Sequence, residues 1–488
     1  MTRNVVPGSI LAVNPWRIVL VATLIAACTV ATSARDHALI EAAKGKDLSL
    51  LRALLDKHTD PNVRQGDGAT ALHWAAHWDD MKAATLLIQA GANVNAINDN
   101  GVTALALAST NGSAPMVALL LAAGADANLA RPSGETPLMM AARTGKSDVV
   151  DTLLAHGANL HATERSKGQT ALMWAAAEGH PAVVKSLLRH GADASVRSSS
   201  GLTPLMFAAA GGNKEVTELL LAAGASVNEA SRNGTTPLHL AIRNNHHAFA
   251  GFLLERGADP NADAGYTALH WVVGNMRADV DERGSEGVSA TTPKLTLVKA
   301  LLAHGANPNA RAAAYPDGVR DGVDFGAVTP FWLAAMAADV KVMQALVAAG
   351  ADPSARTTGA TTSLMMAAGY AWRRRDGVPE SDSLEAVKLC VKLGVDVNAK
   401  NALGQTAVHA AVFKGANTII QFLVAQGADV NARNNMGQTG LTLAELGHYR
   451  NAEFKVLPDT AAVLRSLGGE LGAPGSSDLE RTRAATER

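Results

Sequence analysis

Apolar and polar positions along the chain repeat in blocks of about 33 residues, and residues 234–261, GTTPLHLAIRNNHHAFAGFLLERGADPN, show one full block. Leu238, Leu240 and Ala241 form the apolar face of a short helix. Asn244-Asn245 interrupts it, and Phe249, Phe252, Leu253 and Leu254 mark a second helix. Thr236 stands where a helix N-cap belongs. Pro237 follows at the first helical position, where its missing N–H costs nothing. Gly257 closes the second helix in the left-handed conformation that glycine tolerates best. Asp259 to Asn261 then open an extended turn. Each block therefore predicts helix, turn, helix and a hairpin-like finger.

Two independent columns carry this pattern along the chain. The threonine that opens each block recurs at Thr70, Thr103, Thr136, Thr170, Thr203 and Thr236, then less regularly at Thr267, Thr329, Thr362, Thr406 and Thr439. The closing glycine recurs at Gly91, Gly124, Gly157, Gly191, Gly224, Gly257, Gly305, Gly350, Gly394 and Gly427. The opening motif reads TPLH at 236–239, TALH at 70–73 and 267–270, and TAVH at 406–409. TPLM at 136–139 and 203–206, TALM at 170–173 and TSLM at 362–365 replace the histidine with methionine. At these residues the chain resembles ankyrin repeat proteins. The resemblance spans about residues 36 to 467 and implies an all-α repeat solenoid of about 11–12 units, including degenerate caps. No unit of this kind buries both its faces alone, so neighbours must stack. Residues 36–60 read as an N-terminal cap. After Thr439 the pattern shortens, loses the Gly-Ala-Asp turn, and keeps Leu464 and Leu467 at helix spacing as a C-terminal cap. The solenoid is expected over 35–469, with a polar disordered tail at 470–488.

The period is broken by excess residues in three places. These lie near 275–292 and 370–382, between the two helices of a unit, and near 311–326, in a finger. Such insertions map to surface loops and often to a binding face. Drift in a tolerated loop explains them equally well, since lengthening a surface loop costs little.

Residues 1–34 differ from the rest. A basic flank, the apolar run Ile18 to Val30 and small residues behind it read as a secretory signal peptide. Two cleavage readings compete. Thr32-Ser33-Ala34 suits a cut near Arg35, whereas Ile25-Ala26-Ala27-Cys28 resembles a bacterial lipobox with a lipidated Cys28. Either way the chain is expected to be exported to the periplasm or anchored in the envelope, with an extracellular fate as the alternative. With only Cys28 and Cys390, no disulfide framework follows.

Lys and Arg number 43 against 44 Asp and Glu, which argues against a polyanion such as nucleic acid as partner. Candidate chemistry mostly dissolves into the repeat. His73 and His77 are four apart, but His73 is the motif histidine and no glutamate follows it. His156, His190 and His304 precede the turn glycine near a helix C-terminus, where positive charge is favourable. Gly145-Lys146-Ser147 lacks the first glycine of a phosphate loop. Asp317, Asp321 and Asp324 lack a calcium-loop spacing. Trp74, Trp174 and Trp271 fall in the column held elsewhere by Leu107, Met140, Phe207, Leu240, Leu333 and Met366, and are expected to be inner core. Cys390 reads as an inert buried thiol. No catalytic, cofactor or metal site is expected.

The resemblance implies protein binding on a concave face built from fingers and the variable end of each first helix. Mapped onto this sequence, the candidates on first helices are His77, Trp78, Thr110, Asn111, Arg143, Thr144, Glu178, Arg243, Asn244, Phe413 and Lys414. Lys167, Arg232 and Asn233 are the finger candidates. Trp372 with Arg373, Arg374 and Arg375 forms a candidate anchor in the third insertion, since Trp and Arg are favoured at hot spots. The expected molecule is a monomeric, non-enzymatic scaffold of the envelope with a protein partner, touching membrane only through a lipid on Cys28. A secreted effector acting on host proteins is the alternative, and an enzyme with a site on the insertions a more distant one.

Overall fold

The computed structural model describes residues 37–274, 291–313, 326–370, 378–446, 448–450 and 453–472. The expected signal segment with Cys28 lies outside these residues, as do Asp317, Asp321, Asp324, Trp372, the three following arginines, most of the three insertions, and 473–488. The chain forms two compact units: residues up to Pro204 together with Glu218–Gly224, and Leu205–Thr217 together with everything from Ala225.

In both units the block of the sequence becomes a pair of antiparallel helices and a finger. The first helices run Ala71–His77, Ala104–Asn111, Pro137–Thr144 and Ala171–Glu178 in the first unit. In the second they include Pro237–Arg243, Ala268–Gly274, Pro330–Met336, Ser363–Ala368 and Ala407–Lys414. At six to eight residues they are too short to persist alone and rely on packing and capping. The opening threonine supplies the cap: Thr103 Oγ1 accepts the Ala106 N–H at 3.0 Å. Where the motif histidine is present, its Nδ1 accepts the threonine N–H, at 3.1 Å in His73. That bond places the ring proton on Nε2, which donates to the next unit. The acceptors are the carbonyls of Val102 (2.9 Å), Tyr266 (3.2 Å), Val328 (3.0 Å) and Gln438 (3.2 Å). Each motif histidine is thus both a cap and a bolt to its neighbour. Burial lowers the pKa of all four, to about 4 in His239 and His270.

A second set of bolts lies in the turns. Asn62 Nδ2 donates to the Gly91 carbonyl at 3.2 Å while its Oδ1 accepts the Asn93 N–H at 2.6 Å. Asn95 and Asn128 repeat this in the first unit. Asn228, Asn261, Asn309, Asn398 and Asn431 repeat it in the second. His161, Ser195 and Ser354 stand where the asparagine would be. The rungs from Asn261 to Gly305 and from Asn309 to Gly350 are as short as the others, at 2.8 Å each, although two insertions separate those residues in sequence. The extra residues therefore leave the stacking register untouched.

The core is the shared apolar face of the stacked pairs: Leu72, Leu105, Leu138 and Leu172 in the first unit, and Phe331, Trp332 and Leu333 in the second, are all buried. The N-terminal cap is a helix at 37–44 followed by Leu48–Leu55, closed over Leu39, Ile40 and Leu51. The C-terminal cap differs from expectation in two ways. An antiparallel hairpin, His448–Arg450 with Glu453–Lys455, joins its helices Gly440–Leu446 and Pro458–Ser466. The Gly-Ala-Asp turn is not lost: Gly468-Gly469-Glu470 fills its role, taking both bonds of Asn431. Motif comparison missed it because the rung needs only a carbonyl and an N–H, which any residues supply. Residues 470–472, placed by sequence at the start of the tail, stay on this cap, with Gly472 N–H donating to Thr442 Oγ1 at 2.8 Å.

Candidate partner-binding surface

The variable ends of the first helices carry aromatic rings covered by cations. Lys44 Nζ lies 5.1 Å from the centre of Trp74, and Lys46 Nζ 4.7 Å from that of Trp78. The Arg143 guanidinium lies 5.3 Å from Trp174, and in the second unit Arg243 lies 5.1 Å from Trp271. In each case the cation comes from the preceding block. Trp74, Trp174 and Trp271 are half-buried, so the expectation of an inner core column is corrected. The column is buried at Met140, Leu333 and Met366 but half-open at Leu107, Phe207 and Leu240 as well as at the three tryptophans. Trp74 and Trp174 also donate from Nε1 to Gln65 and Gln169, at 3.2 and 3.0 Å, which fixes their rings against the fingers.

His77 and Trp78 belong to the same cluster. The His77 ring is 5.8 Å from Trp74 and 4.6 Å from Trp78, both edge-on. Trp78 is 42% exposed, a large apolar area left in water at a fixed orientation. Arg143, Glu178, Lys167, Arg232, Asn233 and Arg243 are exposed.

Other candidates are engaged within the protein. Asn111 Nδ2 donates to the carbonyls of His77 (2.8 Å) and Ala76 (3.2 Å), and Asn244 Nδ2 to that of Ala210 (2.9 Å). Each closes the C-terminus of the preceding first helix, where carbonyls lack intrahelical partners. Thr110 and Thr144 bond back to the carbonyls of Ala106 and Met140. Phe413 packs edge-on against Tyr370, and Lys414 Nζ donates to Ser383 Oγ at 2.7 Å. Sequence reading missed Lys44 and Lys46, whose helix pair it took only as a cap.

The histidines before the turn glycine sit as expected. His156, His190 and His304 Nδ1 donate to the carbonyl four residues back, at 2.8–2.9 Å. Cys390 is fully buried, and desolvation pushes its thiol up to about 12. Among the described residues no group of three or more His, Cys, Asp or Glu could hold a metal ion, and no helix is long and apolar enough to cross a membrane.

Family models for ankyrin repeats match most of the stacked region. The three-copy form matches residues 39–131, 110–198, 182–264 and 377–454, and the single-repeat form 264–313 and 328–358. The chain belongs to the ankyrin repeat family. No curated protein matches it. Ankyrin repeats generally mediate protein–protein interaction and are typically non-enzymatic modules. In this ankyrin protein three of the cation-covered tryptophans are half-buried, Trp78 is exposed, and the finger residues Lys167, Arg232 and Asn233 are exposed.

Proposed function

We propose that this ankyrin repeat protein is a non-enzymatic scaffold of the cell envelope that holds a protein partner against its first-helix ends and fingers. The observation that carries the reading is the cluster of Trp74, His77 and Trp78 with Lys44 and Lys46. A rigid, half-exposed aromatic group with a cation on its face offers apolar area and charge at little entropic cost, the character of a binding hot spot. Export is supported by the apolar run at 18–30 behind Arg3 and Arg17.

The test is in-cell crosslinking of the tagged full chain, with mass spectrometry of what copurifies. One envelope protein enriched at near-equal amount, and lost in Trp78→Ala, is the expected result. A clean preparation, or a partner equally retained by Trp78→Ala, overturns the assignment to this cluster. A mature chain beginning at Cys28 or near Arg35 is expected in the same spectrum, and an intact N-terminus overturns export.

A further inference from the structure

The fingers change character at the end of the second unit. The residue before each left-handed finger position is Asp67, Asn100, Ser133, Lys167 and Ser200 in the first unit. In the second it is Asn233, Ala264, Gly326 and Gly359, and then Leu403 and Met436. Leu403 is 50% exposed and Met436 61%. The turn does not require apolar residues there, because the same turn is built elsewhere with Asp, Asn, Ser or Lys. Both tips are held rigidly: the Leu403 N–H donates to Asn401 Oδ1 and the Met436 N–H to Asn434 Oδ1, each at 2.9 Å. They are also joined to each other and to the finger before. Ala402 N–H donates to the Gly359 carbonyl at 2.9 Å and Asn435 N–H to that of Leu403 at 3.0 Å. Leu471, 55% exposed, follows on the next rung, where Gly472 abuts Gly437.

Charge changes with them. The fingers at 356–361, 400–405 and 433–438 contain Arg356, Lys400 and Arg433, all exposed, and no Asp or Glu. Those of the first unit carry Asp67, Asp99, Glu135 and Glu164. Among the described residues no carboxylate pairs with Arg356, Lys400 or Arg433; Lys400 Nζ donates only to the Arg433 carbonyl, at 3.1 Å. The aspartates of the adjoining turns, Asp352, Asp396 and Asp429, each accept the N–H two residues on in their own turn.

We propose that these three fingers form a docking edge for an extended acidic segment of a protein partner, with an acidic and an apolar side chain recurring every third residue. The inference rests on the protein-binding reading and adds the chemistry of the bound segment. The period follows from geometry. Stacked helix layers are about 10 Å apart and an extended chain advances about 3.3 Å per residue. Each third residue therefore meets a new finger, whose base is cationic and whose tip, at Leu403 and Met436, is apolar. A lipid surface is the less suited occupant, since the tips include no aromatic residue.

The test uses the purified full chain and fluorescence anisotropy with three labelled 18-residue peptides: (Ser-Glu-Leu)6, (Ser-Gln-Leu)6 and (Ser-Lys-Leu)6. Only the glutamate peptide is expected to bind, more weakly as salt rises. Leu403→Ser with Met436→Ser is expected to weaken it at least ten-fold with unchanged thermal unfolding, since Ser200 occupies the same position. Lys400→Glu with Arg433→Glu is expected to transfer preference to the lysine peptide. Equal binding of the three peptides, or affinity unmoved by both double variants, overturns the proposal. So does binding to vesicles containing phosphatidylglycerol without binding to the glutamate peptide. If the crosslinked partner above is still captured by Leu403→Ser/Met436→Ser, this edge fails while the protein-binding reading stands.

Discussion

A motif histidine illustrates how much one residue does in this protein. His239 and His270 cap their own helix and bolt it to the next unit only while neutral, because Nδ1 must accept a hydrogen bond. Their pKa falls from 6.5 to about 4 on folding, chiefly by desolvation. The unfolded chain therefore binds the extra protons. The stability they contribute is complete above about pH 6.5 and is lost as the pH falls toward 4. The shift corresponds to roughly 3 kcal/mol for each ring. The urea midpoint is expected to fall steadily between pH 7 and pH 4.5, and less so in His239→Gln; a midpoint flat over that range contradicts the assignment. Gly404 is a second decisive residue. It has φ +72°, and a Cβ there would lie 2.4 Å from Asn435 Oδ1 and 2.7 Å from its N. Gly404→Ala should cost about 1–3 kcal/mol by denaturant unfolding, from strain and from parting two fingers. A neutral effect would mean the finger ladder is loose.

At the scale of the element, stacking depends on side chains that bridge units as much as on apolar burial. A rung of the asparagine ladder satisfies one carbonyl and one N–H that the turn leaves open. Where Ser354 replaces asparagine, the second unit lacks that rung. Ser354→Asn is expected to restore it, toward the Gly394 carbonyl and the Asp396 N–H, and to raise stability by about 1 kcal/mol. His161→Asn should act likewise in the first unit, toward Gly191 and Asp193. An unchanged or lowered melting temperature in both variants would mean that the loops at those positions hold the turns out of register.

For the whole molecule, energy is a sum over neighbouring repeats and not a property of one core. Trp332 is the largest of the fully buried side chains among the described residues. Trp332→Ala should cost its neighbourhood about 3–5 kcal/mol. By hydrogen exchange, amides of the second unit near 330–350 are expected to lose protection while those of 71–189 keep theirs. Loss of protection along the entire chain would show two-state cooperativity that a repeat array of this length is not expected to have.

The repeat architecture was readable from the residues alone. Thr-Pro at the start and Gly at the end of each helix pair act through local backbone preference, so spacing suffices to locate them. The insertions showed themselves in the same way, as departures from period. The binding surface was only partly readable, since exposure depends on what the next unit places above each side chain. Asn111, Asn244 and Lys414 looked variable and free, yet their donors are spent on backbone or hydroxyl groups 31–35 residues away. Trp74 and Trp174 looked like core, yet they are only half-buried, beneath Lys44 and Arg143. The fold follows from periodic, local chemistry that a chain carries wherever it goes. Which faces remain for a partner was decided by tertiary stacking, because only the stack determines which hydrogen bonds and rings are already taken.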